Sequence, residues 1–271
     1  MPDSAGEGAR PILAFVHIQK TAGTSLLTIL RNTFGPAHLE VRTVDQRPGA
    51  VFGARDLAVV LRVAPWVRSI AGHEIVAPTT CLPDRVLPYT ILREPVARSL
   101  SHFEDKQRRG RNPPELEDYL SDSENRNFQV RKIAGKEDFE EARRLLEEAY
   151  LFAGVQERFA ESVRVLSALS PWPLVLRHRP ENVFRRRDLR QALKADPEVM
   201  RRFREINELD AALHQWVSRD LYPRLRRRAG EVSDAPLPAF PGDRLPMRYR
   251  ASRFWQRSVY RYALKLARLR A

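Results

Sequence analysis

The sequence predicts an α/β fold with a central parallel sheet flanked by helices. Short apolar runs alternate with longer segments of helical periodicity, and this order is typical of a parallel sheet wrapped by helices. The clearest case is the apolar run 12–18, which leads into a polar loop and then into a helical pattern. At 271 residues with 43% hydrophobic residues, the chain is long and apolar enough for one large domain of this class.

The predicted elements follow one another without an internal repeat. We predict strands at 12–18, 69–76, 85–94, 151–155 and 171–179. We predict helices at 23–33, 51–65, 95–107, 115–120, 127–133, 136–150, 157–169, 186–195 and 197–219. Pro65 ends the second helix, and Pro95 suits the first position of the third. Ligands of such sheets bind at the carboxyl ends of the strands, so the loops there are the first candidates for a site.

The charge and cysteine content restrict the partners and the compartment. The formal net charge is +13, which attracts nucleotides, nucleic acid, acidic glycans or anionic lipid. Because the basic and aromatic residues form no known nucleic-acid motif, no nucleic-acid partner is expected. The single cysteine, Cys81, excludes an intramolecular disulfide and a multi-cysteine zinc site. With no signal-peptide pattern at the first residues and no apolar run of about 18 residues, a cytoplasmic location is expected.

Composition also divides the chain. Residues 1–10 are a flexible lead, 11–229 form the domain, the Pro- and Gly-rich 230–243 form a linker, and 244–271 form a tail. In the tail, apolar residues recur at alternating four- and three-residue steps, which predicts one apolar seam on a helix: Trp255, Val259, Tyr262, Leu266 and Leu269. Basic residues flank this seam. The tail is therefore a basic amphipathic helix that packs on its own domain, joins a homodimer, or lies peripherally on an anionic membrane.

The loop after the first strand has the composition of a phosphate-binding site. Its members are Lys20, Thr21, Ala22, Gly23, Thr24 and Ser25. A helix start offers unpaired N–H groups and the positive end of its dipole, Gly23 permits close backbone approach, and the hydroxyls and the lysine add donors. A Walker loop, GxxxxGK[ST], has its lysine at the far end. Here the lysine follows the strand directly, so a nucleotide kinase or NTPase is only the alternative.

A second strand-to-helix junction carries a further phosphate signal. Arg93 ends the strand 85–94, and Ser101 lies about two turns into the next helix. An arginine with paired N–H donors and a nearby hydroxyl can hold a second phosphate. Arg98 on the same helix is a candidate to support them.

Taken together, the two junctions resemble those of sulfotransferases that use 3′-phosphoadenosine 5′-phosphosulfate (PAPS). LREPVARSLS at 92–101 is similar to that family's 3′-phosphate loop, LR-[DE]-P-x-x-R-x-x-S. The resemblance is to bacterial relatives of the glycan 2-O-sulfotransferase group, and it covers about residues 11–218. Four further segments carry it: AGHEIV at 71–76, NFQVRKIAG at 127–135, FAGVQERFAESVRVL at 152–166 and NELDAALHQW at 207–216. Departures are Gln19 for a proline, Glu94 for the commoner aspartate and His214 for a tyrosine.

The resemblance implies a P-loop NTPase-like sulfotransferase fold and a specific distribution of roles. PAPS is the implied sulfuryl donor, without a metal. Lys20 stabilises charge on the bridging oxygen, Arg93 and Ser101 bind the 3′-phosphate, and His73 is the base, with Glu74 as the runner-up. His17 is expected to be structural. The implied acceptor is a hydroxyl of a carbohydrate-like molecule such as an acidic glycan, of a lipid headgroup or of a metabolite.

Arg131 and Lys132 are candidates for recognising an acidic acceptor, although basic pairs usually lie on a solvated face. A further alternative is a non-catalytic basic protein on a nucleotide fold, which binds a membrane or a polyanion.

Overall fold

We describe a computed structural model of the chain. The structure describes residues 11–45, 47, 49–76, 85–110, 112–178, 187–240 and 245–269. The predictions for the lead 1–10 and for Cys81 lie outside the described residues. So do the end of the predicted strand 171–179 and the first residue of the predicted helix 186–195.

A parallel sheet forms the centre of the molecule. Its strands are β1 (Ile12–Val16), β2 (His38–Glu40), β3 (Ser69–Gly72), β4 (Val86–Leu92) and β5 (Phe152–Val155). Their order across the sheet is β2-β3-β1-β4-β5, and each neighbouring pair is parallel. Every residue of β1 is buried, as expected for the central strand of a sheet covered on both faces. The predicted α/β class with a parallel sheet flanked by helices is confirmed.

The helices are the elements that connect and cover these strands. They are α1 (Gly23–Phe34), α2 (Ala54–Val63), α3 (Pro95–Arg109), α4 (Leu116–Ser121), α5 (Phe128–Ala134), α6 (Phe139–Glu148), α7 (Phe159–Leu169), α8 (Arg187–Ala195), α9 (Pro197–Glu205), α10 (Glu208–Trp216), α11 (Tyr222–Ala229), α12 (Met247–Phe254) and α13 (Arg261–Leu269). Within the described residues, no helix is long and apolar enough to span a bilayer.

The strand order creates a topological switch point at the carboxyl end of β1, the place where open parallel sheets form a crevice. After β1 the chain places β2 and β3 on one side of it, and then crosses to place β4 and β5 on the other. Ligands bind at such a switch point in open parallel sheets. The segments that follow β1, β3 and β4 meet there, and these are the segments that hold Lys20, His73 and Arg93.

The predicted strand at 171–179 is wrong. Its described part forms only a single bridge, between His178 and Ala239. Pro171 and Pro173 remove backbone donors, which disfavours a place in a sheet ladder. The segment is instead held by isolated bonds: Trp172 Nε1 donates to the Pro11 carbonyl at 3.0 Å.

The predicted helix 197–219 is divided, because two asparagines interlock at its middle. The Asn207 side chain donates to the Phe203 carbonyl at 2.7 Å, and the Ile206 carbonyl accepts from the Asn127 amide at 2.8 Å. The side-chain oxygen of Asn127 also accepts from the Leu209 amide, at 2.9 Å. These bonds replace the helical ladder at this point, so α9 ends and α10 begins. Apolar periodicity runs on through the break, so it gives no sign of it.

The C-terminal tail packs against α1 and β2. Arg31 of α1 donates to the Tyr249 hydroxyl at 3.2 Å. The Gln256 side chain bonds both backbone groups of Glu40, at 2.9 and 2.7 Å. Tyr260 and Leu264 are buried on the same side. The tail therefore lies on its own domain.

The predicted apolar seam of the tail is wrong, because Tyr262 and Leu266 are exposed. Residues Trp255–Tyr260 form a π-helical segment between α12 and α13. Its i→i+5 bonding widens the turn, so the helix after it is rotated relative to a regular α-helix. The buried side consequently follows Ser252, Tyr260 and Leu264 rather than the alternating steps of the sequence pattern.

Candidate active site

The loop between β1 and α1 is held in an unusual backbone conformation. Lys20 and Ala22 have φ angles of 69° and 63°, and the left-handed region costs non-glycine residues about 1–2 kcal/mol each. Such strain clusters at ligand-binding loops. Thr21 is buried, and its hydroxyl donates to the Ile18 carbonyl at 2.9 Å. The predicted role of this hydroxyl as a ligand donor is therefore corrected, and only the Thr21 backbone amide remains a candidate.

The start of α1 is open for an anion. Its N-cap residue, Ala22, makes no side-chain cap bond, and the first turn contains no acidic residue. The first amides of the helix, at Gly23, Thr24 and Ser25, are thus oriented outward at the positive end of the dipole. The start of α3 differs, because the Glu94 carboxylate accepts from the Val96 and Ala97 amides at 3.0 and 2.7 Å. Of these two helix starts, only that of α1 offers backbone donors.

Gly23 is required by a neighbouring histidine. A Cβ built on Gly23 would lie 1.7 Å from His17 Nε2, so the imidazole occupies the space that any side chain would need. The rings of His17 and His73 are stacked, with centroids 4.1 Å apart. Burial, assisted by the charge of His73, lowers the pKa of His17 to about 3. His17 is therefore uncharged, and its ring packs between Gly23 of the loop and the ring of His73.

His73 directly follows β3, where Gly72 passes close to a neighbouring segment. A Cβ on Gly72 would lie 2.9 Å from the Val41 carbonyl oxygen. The His73 ring keeps an exposed side, and its Nδ1 lies 2.8 Å from the His17 carbonyl oxygen. A carbonyl only accepts, so Nδ1 carries the hydrogen and Nε2 of the neutral ring has a free lone pair. This is the tautomer that a general base needs.

The surroundings of His73 favour its neutral form. Burial against protein atoms is the main cause that lowers the pKa of His73, the Lys132 ammonium lowers it further, and the bond to the His17 carbonyl opposes them. Lys132 Nζ donates to the His73 carbonyl at 2.6 Å. Burial lowers the pKa of Lys132, and the charge of Glu74 opposes this effect. Lys132 and Glu74 therefore flank His73.

Of the basic pair on α5, only Lys132 reaches the site. The Arg131 guanidinium donates to the Ser123 carbonyl and pairs with Glu124 at 2.8 Å. Arg131 is thus engaged away from the crevice, and Lys132 is the basic residue of this pair that an acidic acceptor would meet.

Arg93 joins the two junctions. Its Nη1 donates to the Lys20 carbonyl at 3.0 Å, although 73 residues separate them along the chain. Lys20 Nζ lies 3.5 Å from the Asp105 carboxylate on α3. Ser101 precedes Asp105 by four residues and so shares its helix face, which is the face toward Lys20. The structure thus brings Lys20 and Arg93 together, and Ser101 lies on the side of α3 that carries Asp105.

Asp105 is a site residue that the sequence analysis missed. Besides Lys20, it contacts Arg108 at 2.7 Å and Arg109 at 3.0 Å. Its carboxylate therefore gathers a cluster of cations at the rim of the crevice. The only sign of it in the sequence is the four-residue spacing from Ser101.

Arg98 is not placed to support a ligand, which corrects the sequence expectation. The side chain is fully buried, its guanidinium lies 4.7 Å from the centroid of the Phe128 ring, and Nη2 donates to Ser99 Oγ at 2.9 Å. Burial lowers the pKa of Arg98. Arg98 therefore packs on the buried side of α3, against Phe128.

The backbone of Arg93 is clamped by α5 and α10. The Gln129 amide side chain accepts from the Arg93 N–H at 3.0 Å and donates to the Arg93 carbonyl at 2.9 Å. Asp210, which is buried, in turn accepts from the Gln129 and Val130 amides at 3.0 and 2.8 Å. The segments 127–135 and 207–216 thus fix the position from which the Arg93 side chain extends.

His214 retains a bond to the same region. Its Nε2 lies 3.3 Å from Glu157 Oε2, and Glu157 Oε1 accepts from the Glu94 amide at 2.8 Å. The imidazole at position 214 is therefore linked through Glu157 to the start of α3.

Comparison of the chain with models of known protein families found no matching family. A search of curated proteins likewise found no matching relative.

Proposed function

We propose that the chain is a sulfotransferase that transfers the sulfuryl group of PAPS to a hydroxyl acceptor. The observation that carries the proposal is the Arg93 guanidinium on the Lys20 carbonyl, because it unites two phosphate-type junctions at one switch point. The parallel sheet with a phosphate-type loop after its central strand supports a P-loop NTPase-like sulfotransferase fold. The resemblance of the ordered segments between 11 and 218 supports the same family.

The donor occupies the crevice with its two phosphates on the two junctions. The amides of Ala22, Gly23, Thr24 and Ser25 receive the 5′-phosphosulfate, together with the backbone amide of Thr21 and the Lys20 ammonium. Arg93 and Ser101 receive the 3′-phosphate through paired and single hydrogen bonds. Lys20 leaves Asp105 to reach the bridging oxygen. No step requires a metal ion.

The transfer is an in-line displacement at sulfur. His73 Nε2 takes the proton of the acceptor hydroxyl as its oxygen forms a bond to sulfur. The bond from sulfur to the 5′-phosphate oxygen breaks, and Lys20 stabilises the charge that develops on that oxygen. Adenosine 3′,5′-bisphosphate (PAP) leaves. Glu74 is the alternative base, since it lies beside Lys132 at the same loop.

The proposed acceptor is a carbohydrate-like, lipid-headgroup or metabolite hydroxyl. Lys132 stands beside His73, so it is the group that would attract an anionic acceptor such as an acidic glycan toward the base. The proposed location is the cytoplasm.

Thermal unfolding with PAP, ATP and AMP tests the donor. A ligand that binds the folded state raises the melting temperature, and we expect PAP to raise it most. Stabilisation by ATP but not by PAP would favour a kinase or NTPase.

The base is tested separately with labelled PAPS and a panel of acceptors. His73→Ala should keep the PAP shift and lose turnover by about 100-fold or more. Full turnover in this variant would move the base role to Glu74. An active wild type is required for this comparison, so the PAP shift alone, without turnover on any acceptor, would instead favour a non-catalytic binding protein.

A further inference from the structure

The outward side of the C-terminal helix exposes large apolar side chains. Met247 is 83% exposed, Phe254 66%, Tyr262 63% and Leu266 40%. Single exposed apolar residues are common, but a row of them along one helix indicates a contact surface. Trp66, 48% exposed, extends this row, since its ring lies 5.4 Å from that of Trp255. We call these five residues together the outer face.

Basic residues stand between these apolar side chains. Arg250, Arg257, Arg261 and Lys265 are exposed, and in the part of the chain that the structure describes none of them forms an ion pair. Residues 244–271 contain nine Lys and Arg residues and no Asp or Glu. The apolar outer face is therefore surrounded by positive charge.

Among the described residues, none covers the outer face, because the opposite side of the helix packs on the domain. Gln256 bonds Glu40, and Tyr260 and Leu264 are buried. The π-helical segment sets this rotation, so Tyr262 and Leu266 point outward rather than into the core. The helix starts near Gly35, at the end of α1 opposite the loop at Gly23, and the outer face includes no residue of the candidate active site.

Charge distinguishes the partners that the outer face could bind: a second copy of the chain, an anionic membrane or a nucleic acid. A second copy would meet this face with its own basic residues in a two-fold dimer, and like charges would repel. An anionic membrane matches both properties, because the arginines meet the headgroups and the apolar side chains enter the acyl boundary. A nucleic acid would match the positive charge through its phosphates, but it offers no extended apolar phase in which Met247, Phe254 and Leu266 could be buried together.

We infer that the outer face binds the full chain peripherally to an anionic lipid surface. Phe254 and Tyr262 insert at the boundary between headgroups and acyl chains, and the basic residues between them bind lipid phosphates and carboxylates. This inference does not depend on the proposed enzymatic function, because it uses a different surface.

Flotation of the full chain with vesicles tests the inference. We expect flotation with phosphatidylcholine vesicles that contain phosphatidylserine, little with phosphatidylcholine alone, and a decrease as salt is raised. Two double variants, Phe254→Ser/Tyr262→Ser and Arg257→Gln/Arg261→Gln, should each lose at least about tenfold in affinity for the anionic vesicles. The matched control is Arg227→Gln/Arg228→Gln on α11, with the same change of charge at exposed positions.

The following results would overturn the inference. One is equal flotation with both vesicles, or none with either. A second is an equal loss in the control variant, which would show that net charge alone acts. A third is light scattering that finds a dimer in the wild type and a monomer in Phe254→Ser/Tyr262→Ser. A fourth is an oligonucleotide that binds more tightly than the vesicles and depends on the same residues. Melting temperatures of all variants establish that each is folded.

Discussion

At the scale of single residues, the His17 ring occupies the space that a side chain at Gly23 would need. We expect Gly23→Ala to destabilise the fold by about 1–3 kcal/mol, because the new methyl group displaces the imidazole. In a His17→Ala background that space is empty, so the same substitution should cost close to nothing. Urea unfolding of the four chains forms a double-mutant cycle. Equal costs in both backgrounds would contradict the steric reason for the glycine.

The protonation of His73 predicts the pH dependence of turnover. The pKa of His73 is lowered, so its acid limb in kcat/KM should lie below the ordinary histidine value of 6.5. Activity is then constant through neutral pH and falls as His73 is protonated on acidification. Lys132→Met removes a charge that lowers this pKa, so it should move the limb to higher pH. A limb that stays in place in Lys132→Met would argue against His73 as the titrating base.

At the scale of elements, the clamp on Arg93 is a positioning device. Gln129→Leu removes two hydrogen bonds to the Arg93 backbone, each worth about 0.5–1.5 kcal/mol. We therefore expect PAP affinity, measured by calorimetry, to fall about tenfold. Arg131→Gln on the same helix is the control, because among the described residues the Arg131 side chain bonds to Ser123 and Glu124 and not to Arg93. Equal PAP affinity in Gln129→Leu and wild type would leave the clamp a purely structural role.

Elements were predictable from sequence where local pattern and tertiary environment agree. The run Ile12–Val16 is wholly apolar and wholly buried, so strand and position follow directly. The short β2 and the break at Asn207 depend on partners far along the chain, and no local pattern encodes them. The π-helical segment likewise shifts a periodicity that is regular in sequence.

The site was predictable to a similar extent. The contact between Lys20 and Arg93 follows from two junction motifs, because parallel strands bring their carboxyl ends to one edge. The role of His17 beside Gly23 and the ion pair of Asp105 with Lys20 are contacts in space that spacing alone does not reveal.

At the scale of the whole molecule, buried histidines predict sensitivity to acid. Burial lowers the pKa of His17 and His38 to about 3 and of His102 to about 4. These histidines bind protons near pH 6.5 in the unfolded chain but only near pH 3–4 in the folded chain. Their contribution to the free energy of unfolding is therefore fully present above pH 6.5 and is lost on acidification toward pH 3–4. Each such histidine contributes a slope of up to about 1.4 kcal/mol per pH unit.

Urea unfolding at pH 7, about 6 and about 5 measures this slope before most carboxylates titrate. We expect the free energy of unfolding to fall steadily over the interval. The slope should decrease in His102→Gln, which removes one of the histidines with a lowered pKa. A free energy that stays constant across the interval would contradict the burial of neutral histidines.

The proposed function depends most directly on a second phosphate site at Arg93. Calorimetric titration of the wild type and of Arg93→Ala with PAP and with AMP isolates it, since AMP has only the 5′-phosphate. The wild type should bind PAP far more tightly than AMP. In Arg93→Ala this preference should largely disappear, mainly through weaker PAP binding. Equal affinity of the wild type for PAP and AMP, or a preference that survives in Arg93→Ala, would contradict a bisphosphate donor site.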